Sequence, residues 1–281
     1  MLILISPAKT LDFTTPAPIE HFSQPEFLSD TERLVQQLKQ LSVAEISALM
    51  KISDKLADKN CDRFKAWQSD YDDTNAKQAL LAFRGDVYQG IDVDSFDRED
   101  FDFAQEHLRI LSGLYGVLRP LDLIQPYRLE MGTKLAHAKL HLSADTLYEF
   151  WGNKLTQAIN WQLEKLDNKT VVNLASNEYF KAVKPKLLTG KIITPVFKDW
   201  KNGKYKIISI YAKKARGMMT AYITKNRLKN VEDLTNFAEA GYRFNTELSD
   251  PENLVFTRQG EVGSAGARER GRRGDRERGR H

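Results

Sequence analysis

The chain is poor in cysteine and histidine, the residues on which thiol redox and transition-metal sites most often depend. Cys61 is the only cysteine, and five histidines occur among 281 residues. A lone cysteine forms no internal disulfide and has no resolving partner for peroxide chemistry, as is typical of a chain from a reducing compartment. His137 and His141 lie four residues apart, but no third ligand is close to them in sequence. We therefore predict no metal site and no cofactor, and the same scarcity argues against an iron-sequestering protein.

The sequence also lacks long apolar runs and the loop of P-loop proteins. No stretch approaches the roughly 20 apolar residues that a membrane-spanning helix needs. Residues 1–7 form a short apolar start without a basic leader, which does not resemble a signal peptide. The pattern Gly-x-x-x-x-Gly-Lys is absent. We expect a cytoplasmic protein with no membrane segment and no P-loop nucleotide site.

Acidic residues are nearly missing from one long segment. The formal net charge is only +4, but residues 181–229 contain fourteen lysines and arginines and a single carboxylate, Asp199. By contrast, residues 1–110 contain twelve basic and twenty acidic groups. An ordinary solvated surface mixes both signs. The basic segment therefore predicts an anionic partner.

The composition changes abruptly near the C-terminus. Residues 260–281 contain seven arginines and no lysine, whereas the preceding 259 residues contain 24 lysines and 11 arginines. Apolar periodicity is absent from this segment, so we predict one globular domain over residues 1–257 and a disordered Arg/Gly-rich tail over residues 258–281. Arginine–glycine arms can bind nucleic acid. The change from mostly lysine to arginine alone instead favours the interpretation that this tail is not a native part of the protein.

Alternating strand and helix signals predict an α/β fold, with α+β as the alternative. Apolar runs of strand length occur at residues 2–5, 171–174 and 205–211, and the clearest amphipathic helix spans residues 145–166. These signals predict a mixed β-sheet flanked by helices.

Polar and basic side chains follow each of the three strand candidates. The carboxyl ends of parallel strands meet at one edge of a sheet, where α/β proteins bind ligands. If the three strands are parallel neighbours, we expect the three groups to converge at one edge of the sheet as a ligand site. They are Ser6, Lys9 and Thr10; Ser176, Asn177, Lys181 and Lys184; and Lys213, Lys214 and Arg216.

A glycine-containing stretch at residues 108–132 joins the acidic and basic parts of the chain. Helical spacing leads into Gly113, and Gly116 follows three residues later, so both can take the positive φ of a tight turn. A second short helix could start at Pro120. This outline predicts a helix-hairpin-helix-like element whose backbone N–H groups bind DNA phosphates. The turn has one residue more than the usual Gly-apolar-Gly pattern, and an ordinary helix–helix corner is the alternative.

Five short blocks occur in a recognisable order: Ser-Pro-Ala-Lys-Thr-Leu at 6–11, Leu-Ser-Gly-Leu-Tyr-Gly-Val-Leu-Arg-Pro-Leu-Asp at 111–122, Tyr-Arg-Leu-Glu-Met-Gly at 127–132, Asn-Leu-Ala-Ser-Asn-Glu-Tyr-Phe at 173–180 and Tyr-Ala-Lys-Lys-Ala-Arg-Gly at 211–217. Together they resemble the YaaA peroxide-stress family over residues 1–257. The resemblance implies a cytosolic bacterial protein that limits damage by peroxide and unincorporated iron. It also implies a DNA-binding α/β fold with a basic cleft and a helix-hairpin-helix element, onto which Gly113 and Gly116 map. The tail after residue 257 departs from the family pattern.

Two functional hypotheses remain. The first is a non-enzymatic protein that binds double-stranded DNA largely independently of sequence. Its predicted DNA-binding residues are Lys9, Gly113, Gly116, Lys181, Lys184, Lys186, Lys213, Lys214 and Arg216. The alternative is an enzyme that acts on a nucleotide or nucleobase in a strand-edge pocket formed by Ser6, Lys9, Asn177 and Lys213.

Overall fold

A computed structural model describes residues 1–137 and 139–259. The α-helices in this part of the chain are α1 Leu28–Leu38, α2 Val43–Met50, α3 Asp54–Ala66, α4 Ala79–Ala82, α5 Asp86–Ile91, α6 Arg98–His107, α7 Leu147–Trp151, α8 Lys154–Glu164, α9 Asn177–Phe180 and α10 Ser209–Lys225. The strands are β1 Leu2–Ile5, β2 Thr10–Leu11, β3 Lys77–Gln78, β4 Phe83–Arg84, β5 Leu108–Ser112, β6 Gly116–Leu118, β7 Leu123–Ile124, β8 Thr170–Asn173, β9 Lys191–Lys201, β10 Lys204–Lys206, β11 Arg243–Phe244 and β12 Asn253–Arg258.

One mixed sheet of eight strands organises the fold, which confirms the predicted α/β class. Its strand order is β11-β12-β9-β8-β1-β5-β6, and β10 pairs with β9. The strands β12, β9, β8, β1 and β5 run parallel to their neighbours, whereas β6, β10 and β11 pair antiparallel. All four residues of the central strand β1 are fully buried. Such a continuous apolar run is expected of a parallel strand covered on both faces.

Helices α5 and α10 pack closely against each other and bring the basic segment to the sheet. A Cβ atom on Gly90 would overlap the backbone carbonyl of Lys214, and one on Gly217 would overlap that of Val87. Glycine at both positions therefore permits the close approach. The contact fixes α10 beside α5, and α10 also packs on β9.

The predicted strand over residues 205–211 is wrong. Only the short strand β10 forms there, and α10 begins at Ser209. The predicted helix over residues 145–166 is divided into α7 and α8 at Gly152, whose φ is 53°. Helix α2 begins after Ser42, whose side chain accepts a hydrogen bond from the Glu45 N–H and caps the helix.

The predicted helix-hairpin-helix is also wrong. Residues 108–112 form strand β5, which continues through a turn into β6 with Ile110 opposite Leu118. Short apolar runs fit a helix and a buried strand equally well. Here the strand is favoured because β5 completes the sheet beside β1, with all five of its residues buried.

Gly113 and Gly116 are both buried in this hairpin. The Trp151 indole donates a hydrogen bond to the Gly113 carbonyl at 3.0 Å. Gly116 has a φ of 73°, and a Cβ there would lie 2.8 Å from a methyl carbon of Leu155. Neither glycine can therefore present its backbone to DNA, and both leave the set of candidate DNA-binding residues.

The last strand includes Arg258, one residue beyond the predicted end of the domain. Residues 260–281, which hold nearly all of the predicted disordered tail, lie outside the described residues.

Candidate functional site

A pocket of about 490 Å³ opens at the carboxyl ends of β1 and β8. Because these strands are parallel neighbours, the residues that follow them meet at one edge of the sheet. The lining residues are Ser6, Pro7, Ala8, Lys9, Thr10, Arg84, Gly85, Asp86, Val87, Tyr88, Tyr127, Arg128, Leu129, Glu130, Leu174, Ser176, Glu178, Tyr179, Lys213 and Arg216. We refer to this cavity as the sheet-edge pocket.

The predicted convergence of the three polar groups is largely what the structure shows. Ser6, Lys9, Lys213 and Arg216 all line the sheet-edge pocket. The third group arrives on helix α10 and does not follow a strand. Asn177 begins helix α9 and lies outside the lining, although both of its sequence neighbours belong to it.

The two serines of the pocket are joined by hydrogen bonds. The Ser176 N–H donates to Ser6 Oγ at 2.9 Å, and the two hydroxyl oxygens are 3.3 Å apart. The Tyr88 hydroxyl donates to the Ser6 carbonyl at 3.0 Å. Lys9 forms an ion pair with Glu130 at 3.0 Å, and among the described residues no hydrogen bond joins Lys9 to Ser6. The geometry therefore provides hydroxyl and N–H donors for a ligand, without a base placed to activate Ser6.

Five cations face the pocket from different parts of the chain: Lys9, Arg84, Arg128, Lys213 and Arg216. Glu130 is 3.0 Å from both the Lys9 ammonium and the Arg128 guanidinium. Asp12, just outside the lining, pairs with Arg84 at 3.4 Å. These two carboxylates thus pair with three of the five cations and offset two of their positive charges.

Arg216 has no ion pair within the part of the chain that the structure describes. Its side chain is half-buried, and burial lowers the pKa of the guanidinium because it disfavours the charged form. The Nε atom of Arg128 is also buried, with no acceptor among the described residues. Unmatched N–H donors of this kind favour an anionic ligand with several acceptor oxygens.

Three tyrosines, Tyr88, Tyr127 and Tyr179, form the wall of the pocket. Burial raises the pKa of each phenol, so all three remain neutral. The Tyr127 hydroxyl is held by Ser112 Oγ at 2.6 Å, which fixes its ring. The tyrosines therefore supply a rigid, uncharged surface beside the cations.

A second depression of about 650 Å³ lies beside the sheet-edge pocket. Both are lined by Lys9, Arg128, Glu130 and Glu178. The second depression adds Lys51, Lys134 and His137 from other loops. The two together form an open groove with more basic than acidic side chains.

The remaining predicted lysines lie outside the pocket. Lys181, Lys186 and Lys214 are exposed, and the Lys184 ammonium donates to Asn153 Oδ1 at 2.8 Å. Of these, Lys181 and Lys214 belong to the segments that enter the pocket, because they follow Glu178 and Lys213 in sequence. They provide positive charge beside the site.

Sequence reasoning missed several residues of the pocket, chiefly Arg84, Tyr88, Tyr127 and Arg128. None of them follows a strand of the main sheet. Tyr127 and Arg128 do belong to one of the blocks that carry the family resemblance. That block was the one available signal, and it indicated no role for the side chains.

Thiol and metal chemistry receive no support from the geometry. Cys61 is buried, and burial raises the pKa of its thiol, which opposes thiolate formation. Within residues 1–137 and 139–259, no group of three or more His, Cys, Asp or Glu side chains is arranged to hold a metal ion. No helix in these ranges is long and apolar enough to cross a membrane.

Comparison with known proteins identifies the family. The family described as "Peroxide stress protein YaaA" matches residues 1–248. The chain belongs to the YaaA peroxide-stress family. A UPF0246 protein of Saccharophagus degradans is 60% identical over 259 residues, which cover 92% of this chain and 100% of that protein. The resemblance noted in the sequence is thus confirmed, and membership of the YaaA family supports a role in peroxide stress.

Proposed function

We propose that this YaaA-family protein binds the phosphate groups of double-stranded DNA at the sheet-edge pocket and its basic rim, and so limits oxidative damage by peroxide and iron in the cytoplasm. The observation that carries the proposal is Arg216, which has no ion pair with any described residue and lies beside Lys213 at the carboxyl edge of a parallel sheet.

Arg216 is the strongest candidate for a phosphate contact. A half-buried guanidinium loses part of its hydration, which costs free energy. Hydrogen bonds from its N–H groups to an anion offset that cost. A phosphate presents oxygens that match the planar fork of arginine. The buried Nε of Arg128 provides a second donor in the same pocket.

The rim supplies the charge that a polyanion requires. Lys181, Lys213 and Lys214 are exposed in segments that enter the pocket, and Lys186 is exposed farther along the chain; none of the four forms an ion pair in the described ranges. The whole segment 181–229 contains one carboxylate, Asp199, which pairs with Arg258. Since Gly113 and Gly116 are buried, these side chains alone would bind the phosphates.

The test is a titration with duplex DNA between 50 and 200 mM salt. If about six phosphates are neutralised, the logarithm of affinity falls against that of salt with a slope of about −5, which is about a thousandfold over this range. Arg216→Gln should weaken binding about tenfold, as expected for one hydrogen bond to a charged group.

Lys191→Ala is the matched control. Lys191 is exposed at the opposite end of the parallel strands, beside Thr170. This variant should bind duplex DNA like the parent. A slope near zero, or an equal effect of both substitutions, would contradict the proposal.

An enzyme acting on a nucleotide or nucleobase is the second candidate. A pocket of about 490 Å³ with a tyrosine wall and paired serines has the dimensions of a small-ligand site. It is less favoured because no base among the described residues contacts Ser6 and because Asn177 lies outside the lining. Free nucleotides that bind more tightly than duplex DNA, and that are converted to product, would establish it.

A further inference from the structure

The end of β9 and the strand β10 form a two-stranded ribbon over residues 198–206, which we call the basic ribbon. Its turn is Asn202-Gly203, and both residues have positive φ, 54° and 78°. This is the type I′ arrangement that matches the twist of antiparallel strands. Trp200 therefore lies directly opposite Tyr205, and Lys201 opposite Lys204.

The two faces of the basic ribbon differ in chemistry. On one face the rings of Trp200 and Tyr205 are 5.0 Å apart at 74°, and Trp200 is 48% exposed. On the other face Lys201 and Lys204 are exposed at the end of the ribbon. Asp199 also lies on that face, but it is buried, paired with Arg258 and hydrogen-bonded by Tyr242. The ribbon thus presents aromatic surface and uncompensated positive charge.

Exposed apolar side chains continue from the ribbon to the start of α10. Ile207 and Ile210 are 58% and 57% exposed, and Tyr211 is 48% exposed. Lys213 follows within the next turn and lines the sheet-edge pocket. Several exposed large apolar side chains within one short segment are typical of an interaction site. Its lysine neighbours indicate that the partner is anionic.

We infer that the basic ribbon binds single-stranded nucleic acid, with unpaired bases stacked on Trp200 and Tyr205 and phosphates bound by Lys201 and Lys204. The inference rests on the proposed DNA-binding function and extends it to strands whose bases are open. Stacking requires a free base face, which a closed duplex does not offer. Trp200 offers an exposed ring for a base, and the backbone of the strand would pass around the end of the ribbon, where Lys201 and Lys204 lie.

The experiment measures binding of the full chain to a dodecamer of deoxythymidylate and to a duplex of equal length. Trp200→Ala should weaken dodecamer binding by roughly 5- to 100-fold, the range found when a stacking aromatic is removed. Duplex binding should change less than about twofold. Tryptophan fluorescence of the parent should be quenched by the dodecamer, and much less so in Trp200→Ala.

Trp161→Ala is the matched control. Trp161 is 58% exposed on α8, which packs near β6 at the other side of the sheet. Both variants remove an exposed indole, so neither should unfold the protein, which circular dichroism checks. If Trp200→Ala and Trp161→Ala bind the dodecamer equally well, the inference is overturned.

The same titrations separate this inference from the proposed function. Duplex binding that depends on Arg216, together with dodecamer binding that is indifferent to Trp200, would overturn the ribbon inference alone. Binding of neither nucleic acid would overturn both.

Discussion

The molecule contains two antiparallel hairpins with a glycine turn, and they have opposite surroundings. The hairpin of β5 and β6 lies inside the sheet, where its glycines contact Trp151, Leu155 and the backbone of residue 129. The hairpin of β9 and β10 is solvent-exposed at its turn, and a Cβ on Gly203 would meet no atom of the described residues within 4 Å. Similar local conformation therefore serves packing in one place and leaves a surface for a ligand in the other.

Burial and charge, more than the turn itself, thus decide which hairpin is accessible to a ligand. A backbone N–H binds a phosphate only if water can reach it in the free protein. The β5–β6 hairpin is buried, with its polar groups bonded internally, as the Trp151–Gly113 hydrogen bond illustrates. The basic ribbon leaves its lysines in solvent.

The largest expected difference between the two hairpins is in the stability lost when the glycine of the turn is replaced. Gly116→Val should lower the free energy of unfolding by about 2–5 kcal/mol, because it combines a positive φ with overlap against Trp151 and Leu155. Gly203→Val has a similar φ but open space, so it should cost only about 1–2 kcal/mol. Urea denaturation of both variants measures the difference. Equal losses of unfolding free energy would show that Gly116 does not pack against Trp151 and Leu155 as described.

A smaller difference concerns nucleic-acid binding. The double variant Lys201→Ala, Lys204→Ala should reduce the salt slope for a single-stranded oligonucleotide by about 1.4, since each neutralised phosphate contributes about 0.7. Its unfolding free energy should stay within about 0.5 kcal/mol of the parent, because both side chains are exposed. Fluorescence titrations at several salt concentrations provide the slope. An unchanged slope would place the phosphates elsewhere.

The smallest expected effect belongs to Lys213, between the basic ribbon and the sheet-edge pocket. Lys213→Ala should reduce the salt slope for duplex DNA by about 0.9, with little change in stability. The control Lys191→Ala should leave the slope unchanged. A loss of stability on removal of the exposed Lys213 side chain would instead assign it a structural role.

Features that depend on local composition could be predicted from the sequence. The apolar strands β1 and β8 and the polar residues that follow them were recognised, and so was the basic segment. Because β1 and β8 are parallel neighbours, the residues that follow them meet at one edge of the sheet, and Ser6 contacts Ser176 there. This part of the site depends on a general rule of α/β sheets and needs no detailed packing.

Features that depend on tertiary packing could not be predicted. The apolar residues that lead into Gly113 are spaced as in a helix, but residues 108–112 pair with β1 and therefore form a strand. The sequence 205–211 alternates like a strand, yet α10 begins within it and packs on α5. The wall residues Tyr88 and Tyr127 reach the pocket from elements whose position only the complete fold determines.

Hydrogen–deuterium exchange, with and without bound oligonucleotide, tests most directly which hairpin contacts nucleic acid. We expect slower exchange for amides in the basic ribbon and the first turn of α10 when the bound oligonucleotide is a duplex with an adjoining single strand. Amides of residues 108–118 should show no change beyond that of the whole domain. Protection confined to residues 108–118, with none in residues 198–216, would contradict it.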